Sequence, residues 1–232
     1  VNSFAIFKVE GQSKSALAKH VGGGRWIPIQ KNLQVGKMTP RDAHQSAFVD
    51  SLLSRNTSLV VAVGAAGTGK TSLALSHAYD RYESASRSVI KLCKPTPMVG
   101  SGKAFGPIPG DISEKYAPYL ASFDIVMKKI LSENGPGYVR RMLEKQELEF
   151  IPLEFTRGCT FENCTFILDE AQNTTWHEMN TLISRMGEGT TLIILGDLNQ
   201  IDIKSERSQT GLNLLINSLP FLDSSISSVV QL

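Results

Sequence analysis

Short runs of consecutive apolar residues recur along the chain, and each run predicts a buried β-strand. The runs lie at 59–63, 88–92, 150–155, 165–168, 191–195 and 228–232. Stretches in which apolar residues recur at helical spacing separate them, notably at 70–82, 112–133, 137–146 and 175–186. Because strands that alternate with helices build βαβ units, this order predicts an α/β fold with a mostly parallel central sheet and helices on both faces.

The first residues of the chain follow a different pattern. The apolar stretch 4–9 is compatible with a strand, but the sequence beyond it is rich in Gly, Lys and Gln. Three consecutive glycines at 22–24 interrupt it further. We interpret 1–37 as an N-terminal extension that is partly ordered at best, and 38–232 as the main domain.

A helix is predicted ahead of the first buried strand. Thr39 is a candidate cap, Pro40 suits the first helical position, and Asp42 places an acidic residue in the first turn. Apolar residues then recur at helical spacing to about Ser54. The pattern therefore predicts that the main domain opens with a helix and continues into the strand at 59–63.

The composition changes this picture little, but it excludes several classes of protein. The chain has 232 residues, which suits one large domain, and 41% of them are hydrophobic, which excludes a disordered chain. Its 24 Lys and Arg against 22 Asp and Glu give a net charge of +2, so any contact with nucleic acid must use a local basic patch. No apolar run reaches the ~20 residues that span a bilayer, so no membrane association is predicted.

The cysteines bear on the cellular compartment. Cys93, Cys159 and Cys164 are too few, and odd in number, for a secreted disulfide framework. Cys159 and Cys164 have no second pair nearby, which disfavours a zinc site. Buried reduced thiols are the favoured interpretation, and they predict a cytoplasmic protein.

A phosphate-binding loop lies between the predicted strand and the helix that follows it. It matches the pattern G-x-x-x-x-G-K-[ST] with Gly64, Ala65, Ala66, Gly67, Thr68, Gly69, Lys70 and Thr71. The glycines let the backbone wrap closely around a phosphate, and a helix N-terminus favours an anion. Lys70 is expected to reach the β- and γ-phosphates, and the Thr71 hydroxyl to ligate Mg²⁺. A glycine-rich turn without a ligand is the alternative, which the strand–loop–helix context disfavours.

Two carboxylates, Asp169 and Glu170, directly follow the apolar run 165–168. At a nucleotide-hydrolysing site the first holds the Mg²⁺ shell, and the second orients or deprotonates the attacking water. The start of a solvated helix is the alternative for two acidic residues in this position. With the phosphate-binding loop upstream, we predict that Asp169 is a metal ligand and that Glu170 is catalytic.

Further polar candidates follow the apolar run 191–195. Gly196, Asp197 and Gln200 stand at the carboxyl end of a predicted strand, which is the edge of a parallel sheet at which ligands bind. Gln200 is predicted to bond the γ-phosphate or the attacking water. A plain Asp/Asn turn is the alternative for this segment.

Together these segments resemble the PhoH family, which is related to the superfamily 1 helicases. The resemblance rests on the segments 64–71, 94–120, 152–161, 169–175 and 196–200. It covers about residues 38–232 and implies a PhoH-like P-loop ATPase domain with a RecA-like core that binds ATP and Mg²⁺. It also implies a helicase-like role on RNA or single-stranded DNA and a homo-oligomer, for which a hexameric ring is one form.

The resemblance assigns further roles residue by residue. Gln45 matches the glutamine that reads the adenine edge, and Gln200 matches a γ-phosphate sensor. Arg157 and Arg185 match arginines that meet phosphate, RNA or a neighbouring subunit. The alternatives are an exposed glutamine on an ordinary helix and arginines in surface ion pairs.

Cations and aromatic side chains are interleaved in the predicted loop 94–111 and just beyond it, as in proteins that bind single strands. The group comprises Lys94, Lys103, Phe105, Lys115, Tyr116 and Tyr119. Ordinary packing with solvated lysines is the alternative. The chain departs from the family pattern with Lys94-Pro95 for Arg-Pro, Lys103 for Glu, and Cys159 for a frequent Arg. We expect these changes to affect nucleic-acid contacts and to leave the phosphate site intact.

Three functional hypotheses follow. The first is a helicase-like motor that hydrolyses ATP within an oligomer, because a single core has no second core to move against. The second is an ATP-binding switch or assembly protein with little turnover. The third, a small-molecule kinase, is disfavoured by the adjacent carboxylates. The family pattern also has an Arg-His segment beyond the position of Leu232, and we expect weak hydrolysis in a protein that lacks it.

Overall fold

Two β-sheets form the framework of the computed structural model, which describes residues 1–8, 15–84, 88–95, 123–131, 137–202, 207–222 and 224–232. An antiparallel sheet near the N-terminus contains β1 (Phe4–Lys8), β2 (Ser15–His20) and β3 (Trp26–Pro28). The central sheet contains six parallel strands, β4 (Leu59–Val63), β5 (Val89–Cys93), β6 (Leu148–Phe150), β7 (Cys164–Leu168), β8 (Thr191–Gly196) and β9 (Ser227–Gln231). Their order is β6-β5-β7-β8-β4-β9, so β8 separates β4, which leads into the phosphate-binding loop, from β7, which leads into Asp169.

Helices cover both faces of the central sheet. They are α1 (Ala43–Leu53), α2 (Lys70–Glu83), α3 (helical over 123–130), α4 (Tyr138–Glu144), α5 (Trp176–Ile183), α6 (Gly211–Ile216) and α7 (Leu219–Leu222). In β4, Val60 packs with residues of α1 and α2, whereas its neighbour Val61 packs with residues of α5 and α6. The predicted α/β fold, a RecA-like P-loop architecture with a parallel sheet between two helical layers, is confirmed. Among the helices of the described residues, none combines the length and the apolar character needed to cross a membrane.

The end of β6 shows the largest error among the predicted strands. The apolar run 150–155 predicts a strand there, but β6 ends at Phe150 and Leu153–Thr156 form a 3-10 helix. The Ile151 amide still donates to a carbonyl of β5 at 2.8 Å. Pro152 has no N–H and a φ of −58°, so it cannot extend the ladder. The other five predicted strands are present, with ends shifted by no more than one residue.

Helix α1 begins three residues later than the sequence predicts. The cap is Asp42 rather than Thr39, because the Asp42 Oδ1 accepts a hydrogen bond from the Gln45 amide at 2.8 Å. Pro40 therefore lies outside the helix instead of in its first turn. Helices α2, α4 and α5 lie where predicted, with ends shifted by at most three residues. Of the helix predicted at 112–133, only part falls within the described residues.

The N-terminal residues are more ordered than the sequence suggests. The described residues of this segment carry three strands, of which β2 and β3 are not predicted. Lys19 of β2 pairs with Asp50 of α1 at 3.1 Å, and the Asn2 side-chain amide donates to the carbonyls of Ser225 and Ser227 at 3.0 and 2.9 Å. The expectation of partial order therefore fails for the described residues, because these long-range contacts anchor the small sheet. The domain boundary at residue 38 stays a prediction.

His77 lies buried on α2 and makes the stability of the fold depend on pH. Its side chain is 4% exposed, and within the described part of the chain neither ring nitrogen has a hydrogen-bond partner. Burial, together with the charge of Arg81, lowers the pKa of His77 from 6.5 to about 4. Between pH 4 and pH 6.5 the unfolded chain therefore binds more protons than the folded protein. The contribution of His77 to stability is complete above pH 6.5 and is lost as the pH falls toward 4.

Through His77 alone, we expect the wild-type protein to lose about 2 kcal/mol of unfolding free energy between pH ~7.5 and pH ~5. In His77→Leu this loss should disappear, because leucine does not titrate and has a similar volume. Urea unfolding at the two pH values measures the difference. The His177→Leu variant, which changes an exposed histidine, is the control and should keep the full loss. Equal pH dependence in the wild type and His77→Leu would contradict the prediction.

Candidate nucleotide-binding site

The phosphate-binding loop has a backbone shape that its glycines permit. Gly67 and Gly69 have left-handed backbones, with φ of 81° and 90°. A Cβ at position 69 would lie 3.3 Å from the side-chain nitrogen of Gln45, so both the backbone and the space favour glycine there. Helix α2 starts at Lys70, directly after the loop. The amides of its first turn have no partner within the helix, so they can bind an anion held by the loop.

Lys70 is the cation of the loop. Its Nζ donates to the carbonyl oxygens of Gly64 and Ala65 at 2.7 and 2.8 Å. Burial lowers the pKa of Lys70, and three nearby carboxylates, chiefly that of Asp197, oppose the shift. The ammonium is thus held against the loop and close to negative charge, where it can neutralise phosphate oxygens.

Thr71 and Asp169 meet at the carboxyl end of β7. The Thr71 hydroxyl donates to the Asp169 Oδ2 at 3.3 Å, and the Lys94 Nζ lies 3.8 Å from the same oxygen. Burial raises the pKa of the Asp169 carboxyl, and the charge of Lys94 opposes the shift. Hydroxyl and carboxylate oxygens are ligands that hard cations take, and Mg²⁺ adds phosphate oxygens and water. These two side chains therefore fit a Mg²⁺ ion that arrives with a nucleotide.

Lys94 corrects one sequence-based expectation. The sequence places it in a nucleic-acid loop apart from the phosphate site, whereas the structure brings it to the Asp169 carboxylate. The sheet register explains this position: β5 and β7 are parallel neighbours with Cys93 opposite Leu168, so the residues that follow both strands lie side by side. Lys94 also lies over the Phe123 ring, 4.8 Å from its centroid. The departure from the family pattern at Lys94 therefore falls within the phosphate site.

Glu170 is held by Gln172, a residue whose role the sequence does not predict. Glu170 has a left-handed backbone with a φ of 57°, which turns the chain after β7. The Gln172 Nε2 donates to the Glu170 carboxylate at 2.7 Å, while its Oε1 accepts from the Asp197 amide at 3.0 Å. Because Gln172 is fully buried, this bridge fixes the carboxylate relative to the end of β8. Gln172 lies within 169–175, a segment that carries the family resemblance, and this is the only signal for it in the sequence. Its hydrogen-bond partners cannot be predicted in this way, because one of them, the Asp197 amide, follows the neighbouring strand β8.

The sequence-based assignment of Glu170 as catalytic predicts that Gln172→Ala lowers kcat for nucleotide hydrolysis about tenfold with little change in KM, because Glu170 loses its positioning partner. The Asp197 amide also loses its acceptor, which should cost about 1–3 kcal/mol of stability. Steady-state kinetics and urea unfolding measure the two effects separately. Asn173→Ala is the matched control, since Asn173 lies in the same turn but bonds to Asp202 at the surface. A wild-type kcat in Gln172→Ala would show that Glu170 needs no such support.

The side chains of Lys70, Thr71, Asp169 and Glu170 line one cleft of about 270 Å³. It is lined by Ala66, Gly67, Gly69, Lys70, Thr71, Ser72, Asp169, Glu170, Gly196, Asp197 and Gln200. The structure thus brings Gln200 together with the loop and with both predicted carboxylates. Ser72 is a lining residue that the sequence does not single out, although it directly follows the loop motif. Because β7, β8 and β4 are consecutive in the sheet, their carboxyl ends form the edge at which parallel sheets bind ligands.

Six predicted residues do not line this cleft, and three of them, Gly64, Ala65 and Thr68, belong to the loop itself. Gln45 lies beside the loop, where its Nε2 donates to the Thr68 carbonyl at 3.0 Å and its Oε1 accepts from the Arg41 amide at 2.8 Å. Arg157 is exposed and lines a separate cavity of about 190 Å³. Arg185 follows the end of α5 at Ile183 and is not among the lining residues. The remaining candidates of the nucleic-acid loop fall outside the described residues: Lys103, Phe105, Lys115, Tyr116 and Tyr119.

Known proteins share much of this sequence. Residues 37–229 match a family model described as "PhoH-like protein". The "PhoH-like protein" of Bacillus subtilis (strain 168) is 35% identical over 175 residues, which cover 75% of this chain and 53% of that protein. "Protein PhoH" of Escherichia coli (strain K12) is 34% identical over 198 residues, with coverage of 84% and 53%. "Protein PhoH2" of Bacillus subtilis (strain 168) is 32% identical over 205 residues, with coverage of 87% and 46%. The chain spans about half the length of the curated relatives it matches.

Proposed function

This chain belongs to the PhoH family of P-loop proteins, and from that premise we propose that it binds ATP with Mg²⁺ and hydrolyses the terminal phosphate. The observation that carries the proposal is the position of Glu170 beside Asp169, in one cleft with the phosphate-binding loop. A binding loop alone explains nucleotide affinity, whereas a second carboxylate beside the metal ligand supplies a base for water. Gln45, next to the loop, is the residue proposed to read the adenine edge.

Five side chains of the cleft have a part in the proposed reaction. Lys70 and the loop amides hold the β- and γ-phosphates, while Thr71 and Asp169 hold Mg²⁺, which neutralises charge on the phosphate oxygens when bound. Glu170 accepts a proton from water as the water oxygen bonds to the γ-phosphorus. The bond between that phosphorus and the β–γ bridging oxygen breaks, which leaves ADP and inorganic phosphate. Gln200 bonds the γ-phosphate or the water and so reports the state of the nucleotide.

The proposal extends to single-stranded nucleic acid, RNA or DNA, on which a cytoplasmic oligomer would act as a helicase-like motor. The described residues contain a single central sheet with one phosphate-binding loop. Strand movement needs two cores that shift against each other, so a neighbouring subunit has to supply the second. A homo-oligomer, with a hexameric ring as one form, meets that requirement. In this arrangement 38–232 is the ATPase domain and 1–37 extends from it.

A second candidate function is an ATP-binding switch or assembly protein with little turnover. The residues that line the cleft, among those that the structure describes, include no arginine. An arginine at the γ-phosphate contributes on the order of 10³–10⁵ in rate, so an isolated subunit would hydrolyse ATP slowly. A neighbouring subunit that supplies the arginine would raise the rate, which ties turnover to assembly.

Steady-state ATP hydrolysis, measured over a range of protein concentrations with and without single-stranded RNA, separates the two functions. Turnover that rises both with RNA and with protein concentration is the result expected for the motor. Low turnover that rises with protein concentration but not with RNA is the result expected for the switch. Tight ATP binding without turnover under all of these conditions would contradict hydrolysis. Inorganic phosphate release measures turnover, and a fluorescent ATP analogue measures binding.

A further inference from the structure

An exposed cluster of aromatic rings lies on one face of the N-terminal sheet. The register pairs Phe7 with Ala16 and His20 with Trp26, which places Phe7, His20 and Trp26 on the same face. The Phe7 and Trp26 ring centroids are 5.4 Å apart in an edge-to-face arrangement, and those of His20 and Trp26 are 5.1 Å apart. Phe7 is 49% exposed and Trp26 is 40% exposed. Clustered, exposed rings of this kind mark interaction sites.

The opposite face of the sheet is occupied by the core. Phe4 and Leu17 pack against the core cluster that contains α1. Lys19, on the same face as Leu17, is buried and pairs with Asp50 of α1 at 3.1 Å. Because side chains alternate along a strand, the face that carries Phe7 and Trp26 is directed away from this contact. The sheet that carries the rings is therefore anchored to the core.

Residues 1–37, which form this sheet and its connections, carry a net positive charge, whereas the rest of the chain is net negative. Residues 1–37 contain six Lys and Arg and one Glu, whereas the remaining residues contain 18 Lys and Arg and 21 Asp and Glu. Lys19 is paired with Asp50, but the other cations still leave an excess of positive charge in this segment. Lys8, at the end of β1, and Arg25, just ahead of β3, are both exposed at the two edges of the sheet. Exposed rings next to an excess of positive charge complement a polyanion that also carries flat apolar groups.

We propose that this face binds single-stranded nucleic acid, with bases stacked on Phe7 and Trp26 and phosphates reaching Lys8 and Arg25 around the two edges of the sheet. Proteins that bind single strands combine the same two elements, a positively charged track and aromatic side chains on which bases stack. The proposal rests on the nucleic-acid part of the proposed function and is independent of ATP hydrolysis. The sheet meets the core at the amino end of β9, which is the end of the central sheet opposite the phosphate-binding loop. Variants of this face should therefore leave basal ATP hydrolysis unchanged.

Binding of a fluorescein-labelled oligouridine of about 16 nucleotides to the full chain, without ATP, tests the proposal. The double variant Phe7→Ala, Trp26→Ala should bind about ten- to a hundredfold more weakly, because each ring stacks with one base. Phe155→Ala is the matched control, since it removes a ring that is 55% exposed on another part of the surface, and it should bind as the wild type does. Circular dichroism of both variants checks that they are folded.

Fluorescence of Trp26 reports base stacking directly, in a protein that keeps both rings and is folded. The chain has two tryptophans, so Trp176→Phe leaves Trp26 as the only reporter. Base stacking should quench the fluorescence of Trp26 as the oligonucleotide is added. Lys8→Gln and Arg25→Gln should each reduce the slope of log affinity against log salt by about 0.7. Oligothymidine in place of oligouridine shows whether DNA binds as RNA does.

Unchanged affinity in the double variant, or unchanged Trp26 fluorescence in Trp176→Phe, would overturn the proposal. A wild-type chain that forms dimers through this face, detected by sedimentation and abolished in the double variant, would also overturn it if oligouridine is not bound. ATP is absent from these measurements, so their failure does not bear on hydrolysis. Conversely, a chain that binds oligouridine and never hydrolyses ATP refutes the ATPase alone.

Discussion

Glu170→Gln is expected to lower the turnover number for ATP by about 10²–10⁴ and to leave ATP affinity close to that of the wild type. The amide has the size of the carboxylate, so the cleft keeps its shape, but an amide cannot accept a proton from the attacking water. The neighbouring Asp169 and the phosphate-binding loop are untouched, so the nucleotide still finds its ligands. Phosphate release under saturating ATP measures turnover, and titration with a fluorescent ATP analogue measures affinity.

Glu188→Gln is the matched control for this variant. Glu188 is exposed and lies outside the cleft, and its substitution changes the charge by the same amount. The control should hydrolyse ATP at the wild-type rate. If Glu170→Gln also did so, Glu170 would not be the base, and the proposed reaction would lose the residue that activates water.

Lys70→Ala is expected to weaken ATP binding by on the order of a hundredfold, because loss of one partner of an enclosed charge pair costs about 2–5 kcal/mol. Three carboxylates stand near the Lys70 ammonium, those of Asp197, Asp169 and Glu170. Without the ammonium, the triphosphate would enter a cleft whose charge is negative until Mg²⁺ arrives. Isothermal titration of the variant with ATP and Mg²⁺ measures the loss.

Two controls accompany the Lys70 variant. Lys128→Ala removes a lysine whose side chain is 69% exposed, and it should bind ATP as the wild type does. Thermal unfolding without nucleotide checks the loop, since Lys70 also donates to the Gly64 and Ala65 carbonyls. Wild-type ATP affinity in a folded Lys70→Ala variant would contradict the assignment of the loop as the phosphate site.

The parts of this site that depend on local sequence are predictable, and the parts that depend on neighbouring strands are not. The loop 64–71 and the pair Asp169–Glu170 each follow a buried apolar run, so their placement at strand ends can be read from the chain itself. Lys94 reaches Asp169 only because β5 lies beside β7 in the sheet. Gln172 bonds the Asp197 amide only because β8 lies on the other side of β7.

The distinction between local and long-range contacts also explains where the predicted fold differs from the structure. β2 and β3 are short, and Lys19 within β2 would argue against burial if Asp50 of α1 did not pair with it. The strand predicted at 150–155 fails for a local reason, because Pro152 removes a ladder donor from an otherwise apolar run. Pro152 by itself predicts a shorter strand, whereas no local feature of the sequence predicts the partner of Lys19.

The left-handed backbone of Glu170 carries a local cost that its side chain offsets. A residue with a side chain costs about 1–2 kcal/mol more than glycine in this conformation, so Glu170→Gly would relieve local strain at φ 57°. The same change would leave the buried Nε2 of Gln172 without its acceptor, which costs about 1–3 kcal/mol. A laboratory selection for heat resistance alone would therefore gain little by removing the carboxylate proposed to activate water.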